Sequence, residues 1–462
     1  MTRVNPRKKL EISYRVLENG FVIEPGFGGK YSILYPTTVF NSLDNEDRQV
    51  LAENFTYART RPLAMLTNQL NYQFSEPRFR QFVDYGVTKD LPRISDFIGL
   101  KNERLNKLIL ESSKINFLGK DREEQKITPL ANHSEEKAIL ALSFGKDSLL
   151  SYALLKEIGL DLQIVFGVEM ESQNSGEYKF KMNIMNTFVR EQGEKILFFE
   201  DTADDMYYAP PTKGLGEFEN TNGMLAFALE LMPFAFSHRA KYIVLGNEKN
   251  MDDSYINRFG AETYPSFDQS SVYTEKENEV LAGFTDRNIQ ILSPVEPIYN
   301  LAEMKILYNR YPHLLKYMMS CSPNKGSQSR WCYACPMCAK SFLYSIAVNG
   351  RPTQMDFHKD LFGKEYKNLY PLFAKRIKRP YEKPLAVREE QLLAFLLAYR
   401  LGAKGYLVEL FEKNLLGEAI NREADLRNRF FGIHAGPSVP KSIEKKLISI
   451  YEEELTPFQA KK

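Results

Sequence analysis

Two stretches of this chain carry residue types at spacings that particular chemistries demand. The first is Ser143-Phe144-Gly145-Lys146-Asp147-Ser148, a polar turn between the apolar run Ala138–Leu142 and a stretch of helical period through Leu149, Leu150, Ala153 and Leu154. A strand, a tight turn containing Gly and a helix start make a phosphate cradle. Gly lets the backbone approach an anion, while free N–H groups and the helix dipole favour negative charge there. Lys146 adds a point charge, and Ser143 and Ser148 add hydroxyl donors. The turn lacks G-x-x-x-x-G-K-[ST] and so is not a Walker A loop. A carboxylate beside polyphosphate repels it unless a cation intervenes, which assigns Asp147 to Mg²⁺; Asp at this place also caps a helix well.

The second stretch holds all four cysteines, Cys321, Cys332, Cys335 and Cys338, spaced C-x10-C-x2-C-x2-C. Four thiolates with two consecutive x2 gaps suit a closed, tetrahedral and therefore structural Zn²⁺ site. Four-cysteine ligation also serves iron–sulfur clusters. No His stands at ligand spacing, and a closed site is assigned no catalysis.

Both stretches need a scaffold, and the chain supplies one by alternating strands with helices. Asp161–Val168, Lys195–Phe199, Lys241–Leu245 and Ile289–Val295 read as strands, while Glu177–Gln192 and Leu225–Ala240 have helical spacing. This alternation predicts an α/β fold with a parallel sheet and helices on both faces. Ligands of such sheets bind outside the carboxyl ends of the strands. The residues to watch are therefore Ser143–Ser148, Glu169 to Glu171, Glu200 to Asp205 and Gly246-Asn247-Glu248. Asn247 and Glu248 face the crevice or form a solvated turn. The polar segment Leu245–Ser270 is too irregular for core and reads as a substrate-binding insertion. Within it Glu248, Asp252, Asp253 and Asp268 are candidates for proton transfer, on position alone.

Residues 1–130 read as a leading α+β domain, with strands at Ile12–Val16, Phe21–Ile23 and Tyr31–Leu34 and a helix over Ser42–Asn54. Lys120–Glu136 reads as a linker. Residues 131–299 form the nucleotide-binding domain, and 300–462 a mainly helical region carrying the cysteine knuckle. Helices are expected at Met304–Tyr311, Ala339–Val348, Glu389–Tyr399, Gly405–Leu416 and Ser442–Glu454. A chain of 462 residues exceeds one typical core, and a net charge of +2 gives no broad basic field implying nucleic acid. No apolar run reaches membrane-spanning length and the start has no secretory core, so no membrane association and a cytoplasmic location are expected. Thiols stay reduced there, which favours metal over disulfides. Composition does not set the oligomeric state.

The loop resembles the PP-loop of N-type ATP pyrophosphatases, S-[GF]-G-[KGL]-D-S, which cut ATP between the α- and β-phosphates. A PP-loop followed by a four-cysteine knuckle is similar to two families: 7-cyano-7-deazaguanine synthase, and the ATP-dependent UDP-N-acetylmuramoyl-L-alanyl-L-glutamate epimerase of peptidoglycan synthesis. The second is the nearer. Gly145-Lys146-Asp147-Ser148 resembles its G-K-D-S loop, and Leu245-Gly246-Asn247-Glu248 its G-N-E strand end. Arg330–Phe342 is similar to its R-W-C-x-x-C-P-x-C-A-x-x-F signature, and Lys378–Glu390 to its K-P-[FY]-E-C-[VL]-G-x-x-E-E tail. Phe144 replaces a Gly of the loop, and Lys383 stands where that tail has Cys.

The resemblance implies a sheet of the PP-loop, adenine nucleotide alpha-hydrolase type. Its cofactors would be ATP, Mg²⁺ and Zn²⁺, and its substrate a small molecule or nucleotide-sugar peptide. Ser143 to Ser148 and Asn247 would bind nucleotide, Asp147 would hold Mg²⁺, and the four cysteines zinc. Lys146, Asp147, Glu248, Asp252 and Asp268 would serve catalysis. Adenylation turns a carboxylate into a mixed anhydride and acidifies the adjacent carbon, so that a base can take its proton. Cyano-deazaguanine synthesis, RNA modification and a nucleotide-binding regulator without turnover are the other readings; intact Lys146 and Asp147 count against the last.

Overall fold

From Ala138 to Leu142 the side chains alternate between two cores. Leu140 and Leu142 pack with Phe166, Val244 and Leu292, whereas Ile139 packs the opposite way with Val165, Ile243 and Ile291. A period of two with both faces buried is the signature of a covered parallel sheet. The computed structural model describes residues 9–459, except 112, 121–125, 128–131, 170–175, 213 and 325.

The strands are β1 (Leu10–Leu17), β2 (Gly20–Pro25), β3 (Tyr31–Leu34), β4 (Gln69–Tyr72), β5 (Lys114–Phe117), β6 (Ser134–Ala141), β7 (Asp161–Glu169), β8 (Ile196–Asp201) and β9 (Ala240–Val244). A small hairpin, β10 (Tyr255–Ile256) and β11 (Glu262–Thr263), precedes β12 (Gln290–Leu292). All but the hairpin join one sheet, in the order β12-β9-β6-β7-β8-β3-β2-β1-β4-β5. From β12 to β8 every pairing is parallel. The chain runs outward from β6 through β7 and β8, then returns to pair β9 with the other edge of β6. The strand order thus reverses between β6 and β9, and open α/β sheets bind ligands at such a reversal.

The leading residues continue this sheet. β3 pairs antiparallel with β8 through Ile33↔Asp201 and Leu34↔Glu200. β1, β2 and β3 form an antiparallel meander, and β4 and β5 run parallel to β1. Phe21, Ile33 and Phe55 share one core with Val165, Phe199 and Leu229. Among the described residues, one sheet and one core therefore run across the expected boundary at residue 130. Of the expected linker, Ile127 is buried and its N–H donates to the Phe284 carbonyl at 2.9 Å; residues 121–125 and 128–131 lie outside the described residues.

Strands and helices fall close to their expected positions. The helix foreseen at Ser42–Asn54 runs Asn45–Thr60, because Asp44 accepts from the amides of Glu46 and Asp47 and fixes the start there. The helix foreseen at Gly405–Leu416 continues to Phe430. Its polar second half is carried by i,i+4 ion pairs, Arg422–Glu418 and Arg427–Glu423, rather than by an apolar stripe. The helices Asn300–Arg310, Pro336–Ala347, Leu385–Arg400, Tyr406–Phe430 and Lys441–Leu455 cover the Leu140 face of the sheet. Among the described residues no helix is long and apolar enough to cross a membrane.

Candidate active site

β6 ends at Ala141, and four residues separate it from the start of the helix Lys146–Glu157. Gly145 is its N-cap and supplies no capping side chain, so the first-turn amides keep their capacity for an anion. Two of these amides reach only hydroxyls at long distance: Gly145 N–H to Ser143 Oγ at 3.5 Å and Lys146 N–H to Ser320 Oγ at 3.3 Å. A Cβ built on Gly145 would meet nothing closer than 3.5 Å, so the space above the loop is open. Ser143 and Ser148 share a hydroxyl contact of 3.2 Å across the turn.

Phe144 explains its own departure from Gly. Its φ is +62°, in the left-handed region that Gly enters freely. The ring is fully buried, edge-on to Phe188 at a centroid distance of 5.5 Å, and that burial offsets the backbone cost.

Lys146 does not point to open solvent. Its ammonium donates to Glu248 Oε2 at 2.6 Å, to Glu303 Oε1 at 3.2 Å and to Asp147. Burial alone would lower its pKa, but the three carboxyl groups hold it well above the ordinary value. Burial likewise pushes the Asp147 carboxyl up, and Lys146 more than reverses this, holding it below the usual range. Glu303, fully buried, is pushed well up by burial first and by Asp147 second. Three carboxyl groups thus confront one ammonium, their oxygens within 4.8 Å of one another. Glu303 Oε2 has no hydrogen-bond partner among the described residues. This donor set fits a hard divalent cation, which takes carboxylate oxygens. Gly246 is needed beside it, since a Cβ there would lie 3.0 Å from Asp147 Cβ.

Glu303 is the member that sequence reasoning missed. It sits on the helix Asn300–Arg310 amid Leu301, Ala302, Ile306 and Leu307, all buried. A lone carboxylate within an apolar helical stretch was the readable sign.

The loop opens on a crevice of about 400 Å³ at the carboxyl ends of β6, β7, β8 and β9. Ser143, Asp147 and Ser148 line one side, with Asn247 and Gln269; Glu169, Asp201, Glu230 and Arg59 line the other. Asn247, buried, donates to Thr274 Oγ1 at 3.1 Å and presents its side chain at the reversal point. Glu169 and Asp201 belong to the strand ends singled out from sequence; Met170 and Glu171 lie outside the described residues. Arg59 and Glu230 were not foreseen.

The other candidates of the insertion sit in structural roles. Asp252 accepts from Lys249 Nζ at 2.9 Å and from the Ser271 amide at 2.7 Å, at the start of the helix Ser271–Phe284. Asp253 is bound by Arg429 at 2.7 Å. Asp268, buried, accepts from Ser266 at 2.7 Å and from the Met224 amide at 3.2 Å at the start of the helix Gly223–His238. None of the three lines the crevice. The insertion itself is tied down: Tyr255 and Arg258 both donate to buried Asp96, which Lys383 also contacts. Lys383, found where the resembled tail has Cys, thereby joins the helical region to the leading one.

The four cysteine sulfurs lie within 4.8 Å of one another, and Cys332 Sγ is 3.7 Å from Cys338 Sγ. A tetrahedron with metal–sulfur bonds of ~2.3 Å has an edge of ~3.8 Å. The amides of Cys332, Ala334 and Cys338 donate to sulfurs of the set at 3.2–3.4 Å. The set can bind a metal such as zinc. The knuckle also reaches the loop: Met319 N–H donates to the Phe144 carbonyl at 2.8 Å, Ser320 Oγ faces the Lys146 amide, and Cys321 follows directly.

Compared with known proteins, the chain matches no family model, no curated protein and no solved structure.

Proposed function

We infer that this chain is a PP-loop enzyme that cleaves ATP to AMP and pyrophosphate while adenylating a substrate carboxylate. Its specific activity is epimerisation of the terminal L-glutamate of UDP-N-acetylmuramoyl-L-alanyl-L-glutamate. The observation that carries the reading is the pairing of open first-turn amides with a buried Lys146–Asp147–Glu248–Glu303 cluster, at the point where the strand order reverses.

The loop amides and the Ser143 and Ser148 hydroxyls would bind phosphate oxygens, and Lys146 would place its charge beside them. Asp147, Glu248 and Glu303 would hold Mg²⁺, which supplies charge neutralisation to the polyphosphate. The crevice wall away from the loop then receives the acceptor. Preorganised positive groups at the leaving phosphate stabilise charge that develops only in the transition state.

Incubation with ATP, Mg²⁺ and UDP-N-acetylmuramoyl-L-alanyl-L-glutamate in heavy water tests this. Deuterium should enter the α-carbon of the terminal glutamate, D-glutamate should appear there, and AMP and pyrophosphate should form; omitting ATP should abolish all of it. Pyrophosphate release without deuterium would assign a different acceptor. Release only with a carboxy-deazaguanine and ammonia would make the chain a nitrile synthase.

A further inference from the structure

We propose that Asp201 and Glu230, in contact on the crevice wall away from the phosphate loop, are the proton-transfer pair that acts on the acceptor substrate. The proposal rests on the adenylating epimerase reading above.

Asp201 ends β8 and is held by the Ala203 amide at 2.5 Å; Glu230 comes from the helix Gly223–His238. Both are buried and both line the crevice that Ser143 and Ser148 enter from the other side. They hydrogen-bond to each other, and two touching carboxyl groups out of water cannot both ionise. Glu230 keeps the shared proton and donates it to Asp201; burial raises both groups, Glu230 the further. The ionised member is a stronger base than a solvated carboxylate, which suits removal of a weakly acidic C–H proton.

A second observation points to a ligand at this wall. Arg59 lines the same crevice at 3 % exposure, and its Nε–H has no hydrogen-bond partner among the described residues. Its Nη1 donates to the Glu219 carbonyl at 2.6 Å, which holds the guanidinium at this wall. Helix Asn45–Thr60, in the leading part of the chain, thereby contributes positive charge to this wall.

In the step, the Asp201 carboxylate accepts the proton from the carbon next to the adenylated carbonyl. The C–H electron pair moves onto that carbonyl oxygen. As the pair returns, the carbon takes a solvent-derived proton on its opposite face, and Asp201 releases its proton to water; water then adds to the acyl carbonyl, the acyl–oxygen bond to AMP breaks, and AMP leaves with the carboxylate restored. Nothing is oxidised or reduced.

Two assays on the full chain separate this role from the loop chemistry: deuterium entry from heavy water into the terminal glutamate, and ATP–pyrophosphate isotope exchange with the same substrate. In Asp201→Asn, deuterium entry should fall ~100-fold or more, the range for losing a general base, and far more than isotope exchange falls. Glu230→Gln should show the same ordering with a smaller loss, since its amide still donates to Asp201. Asp201→Asn that exchanges deuterium like wild type, or variants that lose both reactions equally, would overturn the pair. Wild-type protein that shows isotope exchange but takes up no deuterium would remove the epimerase reading, and the pair with it.

Discussion

At the scale of single residues, Asp147, Asp268 and Glu303 show how far chemistry can be read from type and neighbourhood. Asp147 was legible because its hexapeptide is local. Glu303 was legible only as a carboxylate out of place in an apolar helix; its pairing was not, because Lys146 lies 157 positions away and only packing brings them together. Asp268 was legible as an acid near the crevice but not as a group turned from it. Its carboxyl is pushed up to about 6, by burial first and by Asp90 second. A carboxyl raised on folding gives stability that is full below its unfolded pKa and is lost as pH rises through the folded one. Wild-type protein should therefore lose stability between about pH 4 and pH 6 relative to Asp268→Asn, by at most ~3 kcal/mol. Denaturant melts of the two proteins across that range check it. Turnover should survive in the variant; a hundredfold drop would return Asp268 to the chemistry.

At the scale of elements, the strand–helix alternation of 131–299 was plain because each unit declares its own period. The contact between the knuckle and the phosphate loop was silent, since it depends on Met319 and Ser320 meeting a turn far back in the chain. Cys335 both belongs to the metal set and caps the helix Pro336–Ala347 by accepting from the Cys338 amide. Cys335→Ser should thus release zinc, lower stability and weaken ATP binding, although no cysteine lines the crevice. Elemental analysis and nucleotide titration on the same preparation read the three effects. Unchanged ATP affinity in zinc-free, folded protein would show that the contact carries no positional information.

At the scale of the whole molecule, the leading 130 residues looked independent because turn-rich β sequence with its own helices can always close on itself. Pairing of β3 with β8 is a long-range event that no local pattern encodes. Removing the first 130 residues would strip the edge of β8, uncover Phe199 and Leu229, and delete Arg59. An unpaired edge beside exposed apolar surface invites association. The truncated chain should be insoluble or aggregated, measured by sedimentation of the expressed fragment. A soluble, monomeric, ATP-binding fragment would show that the core divides after all.

The knuckle also has a place in time. Its ligands span only Cys321 to Cys338, a short loop whose closure costs little entropy, whereas the contact of Ser320 with Lys146 bridges 174 positions. Local closure precedes distant docking, so a metal-filled knuckle presents Met319 and Ser320 as a preformed hook before the phosphate loop arrives. A metal held by the four cysteines would then set how fast the loop is captured, and a chain made without it would have to find that contact with its hook still unfixed.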